Sequence, residues 1–185
     1  DLASLEPGIL MLQDLDAGRV PVSLLVRLHR ELPAFAWLKL ETSDKHPKCV
    51  DLLRETDRNL RIGSAGPDLI ELLDRGIHAY MPTLYHDLYD RIWSLHRAGD
   101  RDQALQLWRL LLPCLAFPET HPDKHWHVSK AVLKAEGIFA TTRFRVDAPE
   151  LDAVESRLVA ELAELAKDLS DRVALSGPGV AEEQG

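Results

Sequence analysis

Ala34-Phe35-Ala36-Trp37-Leu38-Lys39-Leu40 decides how this chain is to be read. Pro33 precedes the run, Glu41 follows it, and every residue but Lys39 is apolar. A strand without polar alternation reads as one covered on both faces. Lysine is almost never fully buried without a partner. An amine taken out of water loses proton affinity, and its neutral form attacks a carbonyl to make a Schiff base. The plainer alternative is a lysine that snorkels its ammonium to water.

Working outward, the same unit recurs. Ile9-Leu10-Met11-Leu12 predicts a first strand, and Val20–Leu32 a helix with Leu24, Leu25 and Leu28 on one face, stopped by Pro33. After the strand at Ala34–Leu40 comes a helix near Pro47–Thr56, with Val50, Leu52 and Leu53 as its apolar face. Leu60-Arg61-Ile62 reads as a short strand and Gly63-Ser64-Ala65-Gly66 as a tight loop. Pro67–Asp74 is a helix stopped by Gly76, and Ile77–Met81 a fourth strand. Strands that alternate with helices form parallel βαβ units. Two architectures fit, an open doubly wound sheet or part of a (β/α)8 barrel. A whole barrel needs roughly 250 residues, so four units make half of one.

Beyond residue 82 the pattern is helical. Leu84, Leu88, Ile92 and Leu95 mark one helix, ended by Gly99; Asp102–Phe117 a second, which Pro113 should bend or end; Trp126–Ala135 a third. Leu151, Val154, Leu158, Leu162, Leu165 and Leu169 mark a fourth. The expected division is 1–82 for the βα units, 83–170 for a helical region, and 171–185 for a disordered tail, Gly/Pro/Glu-rich from Ser176.

The 185 residues are 45% hydrophobic and 28% charged, with net charge −8 and no Lys/Arg cluster. Nucleic acid and anionic membrane surfaces are poor partners for such a chain. No apolar run approaches the roughly 20 residues of a membrane span, and no secretory segment is visible. Two cysteines, Cys49 and Cys114, make no disulfide framework, so a reduced, cytoplasmic protein is expected. Both read as buried structural thiols. The start at Asp1-Leu2-Ala3, without Met, suggests a processed or partial chain.

The order of segments resembles the dihydrodipicolinate synthase / N-acetylneuraminate lyase family. Ala36-Trp37-Leu38-Lys39-Leu40-Glu41 is similar to its Schiff-base strand, Ile62-Gly63-Ser64-Ala65-Gly66-Pro67-Asp68 to the glycine-containing loop after its seventh strand, and Gly76-Ile77-His78-Ala79-Tyr80-Met81-Pro82 to its eighth strand. Leu88-Tyr89, Ala98-Gly99-Asp100 through Leu115, and Ser129-Lys130-Ala131 resemble its C-terminal helices. The likeness runs from about Ile9 to Leu169, over the back half of the family's fold. It implies the C-terminal half of a TIM barrel, strands 5–8, followed by a helical domain.

The resemblance also implies class I aldolase or lyase chemistry on pyruvate or a related 2-oxo acid, a homodimer or homotetramer, and no metal or cofactor. Lys39 stands at the Schiff-base position. Gln13 stands where the family has a proton-shuttling tyrosine; an amide hydrogen-bonds but is no general acid or base near neutral pH. The family's Thr-Thr pair has no counterpart here. A divergent member with different substrate handling fits, with Lys39 and Gln13 as catalytic positions and Glu41, Ser64, Gly66 and Met81 as substrate-binding ones. Glu41, two residues beyond Lys39, shares its side of the strand and can pair with the amine or relay protons. Met81 matches an apolar residue lining the family's pyruvate pocket. Ser64 and Gly66 either bring backbone close to substrate or simply make a turn.

Two other functions compete: a catalytically silent family member serving binding or assembly, and an open α/β domain holding phosphate at Gly63–Gly66. The second lacks a P-loop lysine and the Gly-x-Gly-x-x-Gly spacing. His121, His125 and His127 lack a metal-binding pattern and read as a surface or packing cluster. Trp93, Trp108 and Trp126 are expected in the helical core.

Overall fold

The computed structural model describes residues 8–120, 125–145, 147 and 149–175. The chain divides into two compact units, the first ending at Met81 and the second beginning at Pro82. The first holds a parallel sheet of β1 (Leu10–Leu15), β2 (Phe35–Glu41), β3 (Arg61–Ser64) and β4 (Ala79–Tyr80), in that order across the sheet. Helices α1 (Val22–Glu31), α2 (Lys45–Glu55) and α3 (Leu69–Arg75) join them. An order without reversal has no topological switch point, so the doubly wound alternative falls and an arc of barrel remains.

Local chemistry sets the boundaries. Pro47 sits in the first turn of α2, where its missing N–H costs nothing, so the helix starts before it rather than at it. Gly76 closes α3 in the left-handed region at φ 85°, its N–H returned to Leu73 O. Gly63 and Ser64, expected in a loop, are the last residues of β3. β4 is shorter than expected, but the His78 and Met81 N–H groups extend its pairing to Ile62 O and Ser64 O, both at 2.8 Å.

One face of the sheet packs under the helices. Leu38, Leu40 and Ile62 are buried there with Leu25, Cys49, Leu52, Leu69 and Leu72. In α2 the buried positions are Lys48, Cys49, Leu52 and Leu53, while Val50, expected inside, is exposed. β2 also departs from the both-faces reading. A register shift pairs Leu10 with Phe35 and Met11 with Trp37, leaving Ala36 as the extra residue. Phe35 is buried edge-on against His29, whereas Trp37 is half-buried. The continuous apolar run thus hides a change of face.

The second unit is α4 (His86–Arg97), α5 (Arg101–Glu119), α6 (His125–Ala135) and α7 (Ala153–Leu175). Its core includes Leu88, Ile92, Ala104, Leu111, Val128, Val132, Val159 and Ala166. The Asp100 carboxylate caps α5 through Gln103 N–H at 3.2 Å. Asp152 and Glu155 form a reciprocal capping box on α7: Glu155 N–H donates to Asp152 Oδ1 at 2.9 Å and Asp152 N–H to Glu155 Oε2 at 2.7 Å. α5 continues through Pro113 and Pro118 instead of ending, anchored by buried Leu111, Cys114, Leu115 and Pro118. In α7 Val154 and Leu158 are exposed, because Val159, Ala166 and Leu169 carry the buried line. The tryptophans do not build this core: Trp126 is 60% exposed and Trp93 and Trp108 are half-buried. Residues 171–175, expected to begin the tail, are the last of α7, and the chain from Ser176 lies outside the described residues.

Candidate active site

Parallel strands deliver their C-terminal residues to one end of a sheet, and β1, β2 and β3 bring Gln13, Lys39 and Gly63 side by side in register there. All three belong to the face away from the helices, since their neighbours Asp14, Leu38, Leu40, Ile62 and Ser64 fill the buried one. Glu41, two residues beyond Lys39, shares its face. Its Oε1 lies 3.3 Å from Lys39 Nζ, and its Oε2 accepts a hydrogen bond from Gln13 Nε2. Behind this trio, Trp37 and its register partner Arg61 stack, the guanidinium 5.6 Å from the ring centroid.

Lys39 is not the dry, unpaired amine that the apolar run predicts. Its side chain is 24% exposed, that of Glu41 21%, and the two form an ion pair. Solvent reaches β2 because its register shift turns Trp37, Lys39 and Glu41 away from the helices. The charged neighbour of the amine is therefore a carboxylate.

Gly63 explains where Met81 goes. A Cβ on Gly63 would stand 2.6 Å from Met81 Cε, so the missing side chain is the space that Met81 occupies beside Lys39's register neighbour. Met81 thus joins the same face. Ser64 does not: its hydroxyl is buried and donates to Leu40 O at 2.8 Å on the helix side, and its carbonyl accepts Met81 N–H at 2.8 Å. Gly66 stands apart in the loop after β3, at φ 113°, its carbonyl accepting the Tyr80 hydroxyl.

Three polar groups that sequence reading passed over hold the site's frame. Directly behind Gln13, Asp14 is buried and pairs with Lys48 of α2, Oδ2 to Nζ 2.5 Å. Lys48 also donates to Val20 O at 2.5 Å, while Val20 N–H donates to Asp14 Oδ1 at 2.9 Å, so the pair pins the loop leaving β1. Asp16 in that loop accepts Ser43 N–H at 3.1 Å and pairs with Arg19; both interactions hold its carboxyl below the usual range. Lys45 then ties the β2 loop to the β3 loop through Asp68 and Ala65 O, both at 2.9 Å. The signal for Lys48 was available: Cys49, Leu52 and Leu53 on one helical face place a charge among apolar neighbours, and such a charge calls for a carboxylate.

Other candidates form no site. Cys49 and Cys114 are buried, and burial pushes each thiol up to about 11, so both stay protonated and unreactive. His127 stacks on Phe144 at 4.2 Å and His125 lies edge-on to Trp126, while His121 is outside the described residues. Among the described residues no three His, Cys, Asp or Glu side chains gather to hold a metal ion, and no helix is long and apolar enough to cross a membrane.

No protein-family model matches the sequence, and no curated protein does. Solved structures do match. Dihydrodipicolinate synthase from Rhodopseudomonas palustris superposes with TM-score 0.76 at 21% identity, covering 84% of this chain and 55% of that one. The 4-hydroxy-tetrahydrodipicolinate synthase of Methylacidiphilum fumariolicum SolV gives TM-score 0.77 at 16% identity, covering 90% and 57%. The sialic acid aldolase of Ruminococcus gnavus gives 0.76 at 16% identity, covering 89% and 56%. The chain spans little more than half the length of each. Its fold, four parallel βα units leading into helices, is that of the C-terminal half of the dihydrodipicolinate synthase and N-acetylneuraminate lyase structures.

Proposed function

We propose that this chain carries the nucleophilic part of a class I aldolase or lyase that acts on pyruvate or a related 2-oxo acid. The observation that supports it most is the position of Lys39. It stands at the C-terminal end of a parallel strand, on the solvent-reachable face, with a carboxylate 3.3 Å from its amine. Catalytic residues of β/α barrels come from those strand ends. The structural neighbours are named as dihydrodipicolinate synthases, a sialic acid aldolase and an N-acetylneuraminate lyase.

In the proposed chemistry the neutral Lys39 amine attacks the 2-oxo carbon, and loss of water leaves an iminium. That cation draws electrons from the adjacent carbon, so a proton or a carbon–carbon bond there can be lost and an enamine formed. Gln13, Glu41 and the Gly63–Met81 contact border the space in which the 2-oxo acid sits. A homo-oligomer, as the sequence resemblance implies, is the proposed working form.

Enamine formation needs no second substrate, which makes the test simple. The complete polypeptide in deuterium oxide should exchange the methyl protons of pyruvate, or the corresponding protons of another 2-oxo acid, followed by proton NMR. K39R should lower the rate at least about a thousandfold, because a guanidinium stays protonated and cannot attack. No exchange across a panel of 2-oxo acids, or exchange untouched by K39R, would count against the proposal.

A further inference from the structure

We infer that Glu41 is the proton-transfer residue of this site and that Gln13 is the residue positioning it. The inference rests on the reading of Lys39 as a Schiff-base nucleophile. Imine formation from a lysine moves protons three times. The ammonium must first lose one. After the C–N bond forms, a second leaves nitrogen for the former carbonyl oxygen. The departing hydroxyl then needs another to leave as water. An amide does none of this near neutral pH, so Gln13 cannot.

Glu41 is placed to make the first and the last of these transfers. Oε1 is 3.3 Å from Lys39 Nζ, while Oε2 is held by the Gln13 amide, which fixes the plane of the carboxylate and leaves one oxygen for the amine. Register makes the arrangement possible, because Gln13 pairs with Lys39 across the β1–β2 ladder and Leu15 pairs with Glu41. In the proposed sequence Glu41 takes a proton from the ammonium, and the freed amine attacks the carbonyl carbon as the C=O π electrons move to oxygen. One proton passes from nitrogen to that oxygen. Glu41 then returns its own proton, the C–O bond breaks, and water leaves. The iminium keeps the third nitrogen proton, and the carboxylate is regenerated. Nothing is oxidised or reduced.

The other charged groups nearby do not compete. On this face β2 contributes Lys39 and β3 contributes Arg61, which is stacked on Trp37. β1 contributes Gln13 and Leu15, and Met81 follows β4; none of these titrates. In the adjoining loops Asp16 and Arg19 are bound to each other and to Ser43, and Lys45 to Asp68. Asp14 belongs to the opposite face with Lys48.

The test compares E41Q, E41D and Q13A with wild type in pyruvate exchange and in the rate of borohydride-trapped adduct, both across pH. E41Q should lose about 10²–10⁴-fold in both rates and flatten the acidic limb of the profile, while long incubation still traps an adduct at Lys39. E41D should recover part of the rate, and formate should restart exchange in E41A. Q13A should slow exchange while leaving the acidic limb in place, as expected of a positioning group. E41Q within twofold of wild type with an unchanged profile would overturn the assignment even though Lys39 forms the imine. No adduct in wild type would overturn the Schiff-base reading itself. Far-UV circular dichroism confirms that each variant is folded.

Discussion

The Lys39 amine keeps water on one side and a carboxylate on the other. The apolar run predicted a dry, unpaired amine. Period-two alternation in β2 already placed Lys39 and Glu41 together, so that half of the site was legible in the sequence. The bond from Gln13 was not, because it depends on the register between two strands, which neither strand encodes alone. The ion pair of Asp14 with Lys48 was half legible: the face of Cys49, Leu52 and Leu53 marks the buried cation, but which carboxylate meets it depends on the packing of α2 against β1. That pair makes a sharp prediction. K48M leaves a buried carboxylate without its cation and should cost about 3–5 kcal/mol in urea denaturation, most of it recovered in D14L/K48M. His78 makes another. Burial, then the nearby Arg58 and Arg61, hold its pKa below 6.5, and its Nδ1 accepts Ile62 N–H at 3.0 Å, as only the neutral ring can. The unfolded chain binds this proton more readily, so the contribution is whole above pH 6.5 and disappears as pH falls through the lower folded value. H78N keeps an acceptor without the titration, and denaturation measured across pH should show a shallower loss of stability on the acid side.

Elements were legible where breakers and apolar stripes agreed. Pro33, Gly76 and Gly99 each marked a stop that the helices obey. Gly76 is the clearest, because its left-handed φ is one that side chains resist, and a Cβ there would run into the Arg58 guanidinium. G76A should therefore lose about 1–3 kcal/mol, read from the denaturation midpoint, and R58A should soften that loss by removing the collision. Elements misread were those where long-range packing overrode a local signal. α5 runs on past Pro113 because Cys114, Leu115 and Pro118 beyond it are buried, and the Gly63-Ser64 pair extends β3 because Met81 and Leu40 carbonyl wait on its two sides. Composition suggested a turn at Gly63. The space it leaves for Met81 is the better reason for glycine at that position.

For the molecule as a whole, chain-order parallel strands separate an arc of barrel from a doubly wound sheet, and the sequence alone left both open. Among the described residues β1 pairs only with β2, and β4 only with β3. The face carrying Lys39 also shows Met11 at 49% and Leu15 at 44% exposure. Unpaired edges and exposed apolar side chains favour association, so the 185-residue chain should exceed its monomer mass by light scattering, increasingly with concentration. A dispersed monomer at every concentration would contradict this. The central claim concerns one nitrogen, and one measurement reaches it most directly. Incubation of the complete polypeptide with a 2-oxo acid, reduction with borohydride and peptide mass mapping should find the added mass on the peptide that carries Lys39. Added mass on another lysine, or on none across the panel, would contradict the account.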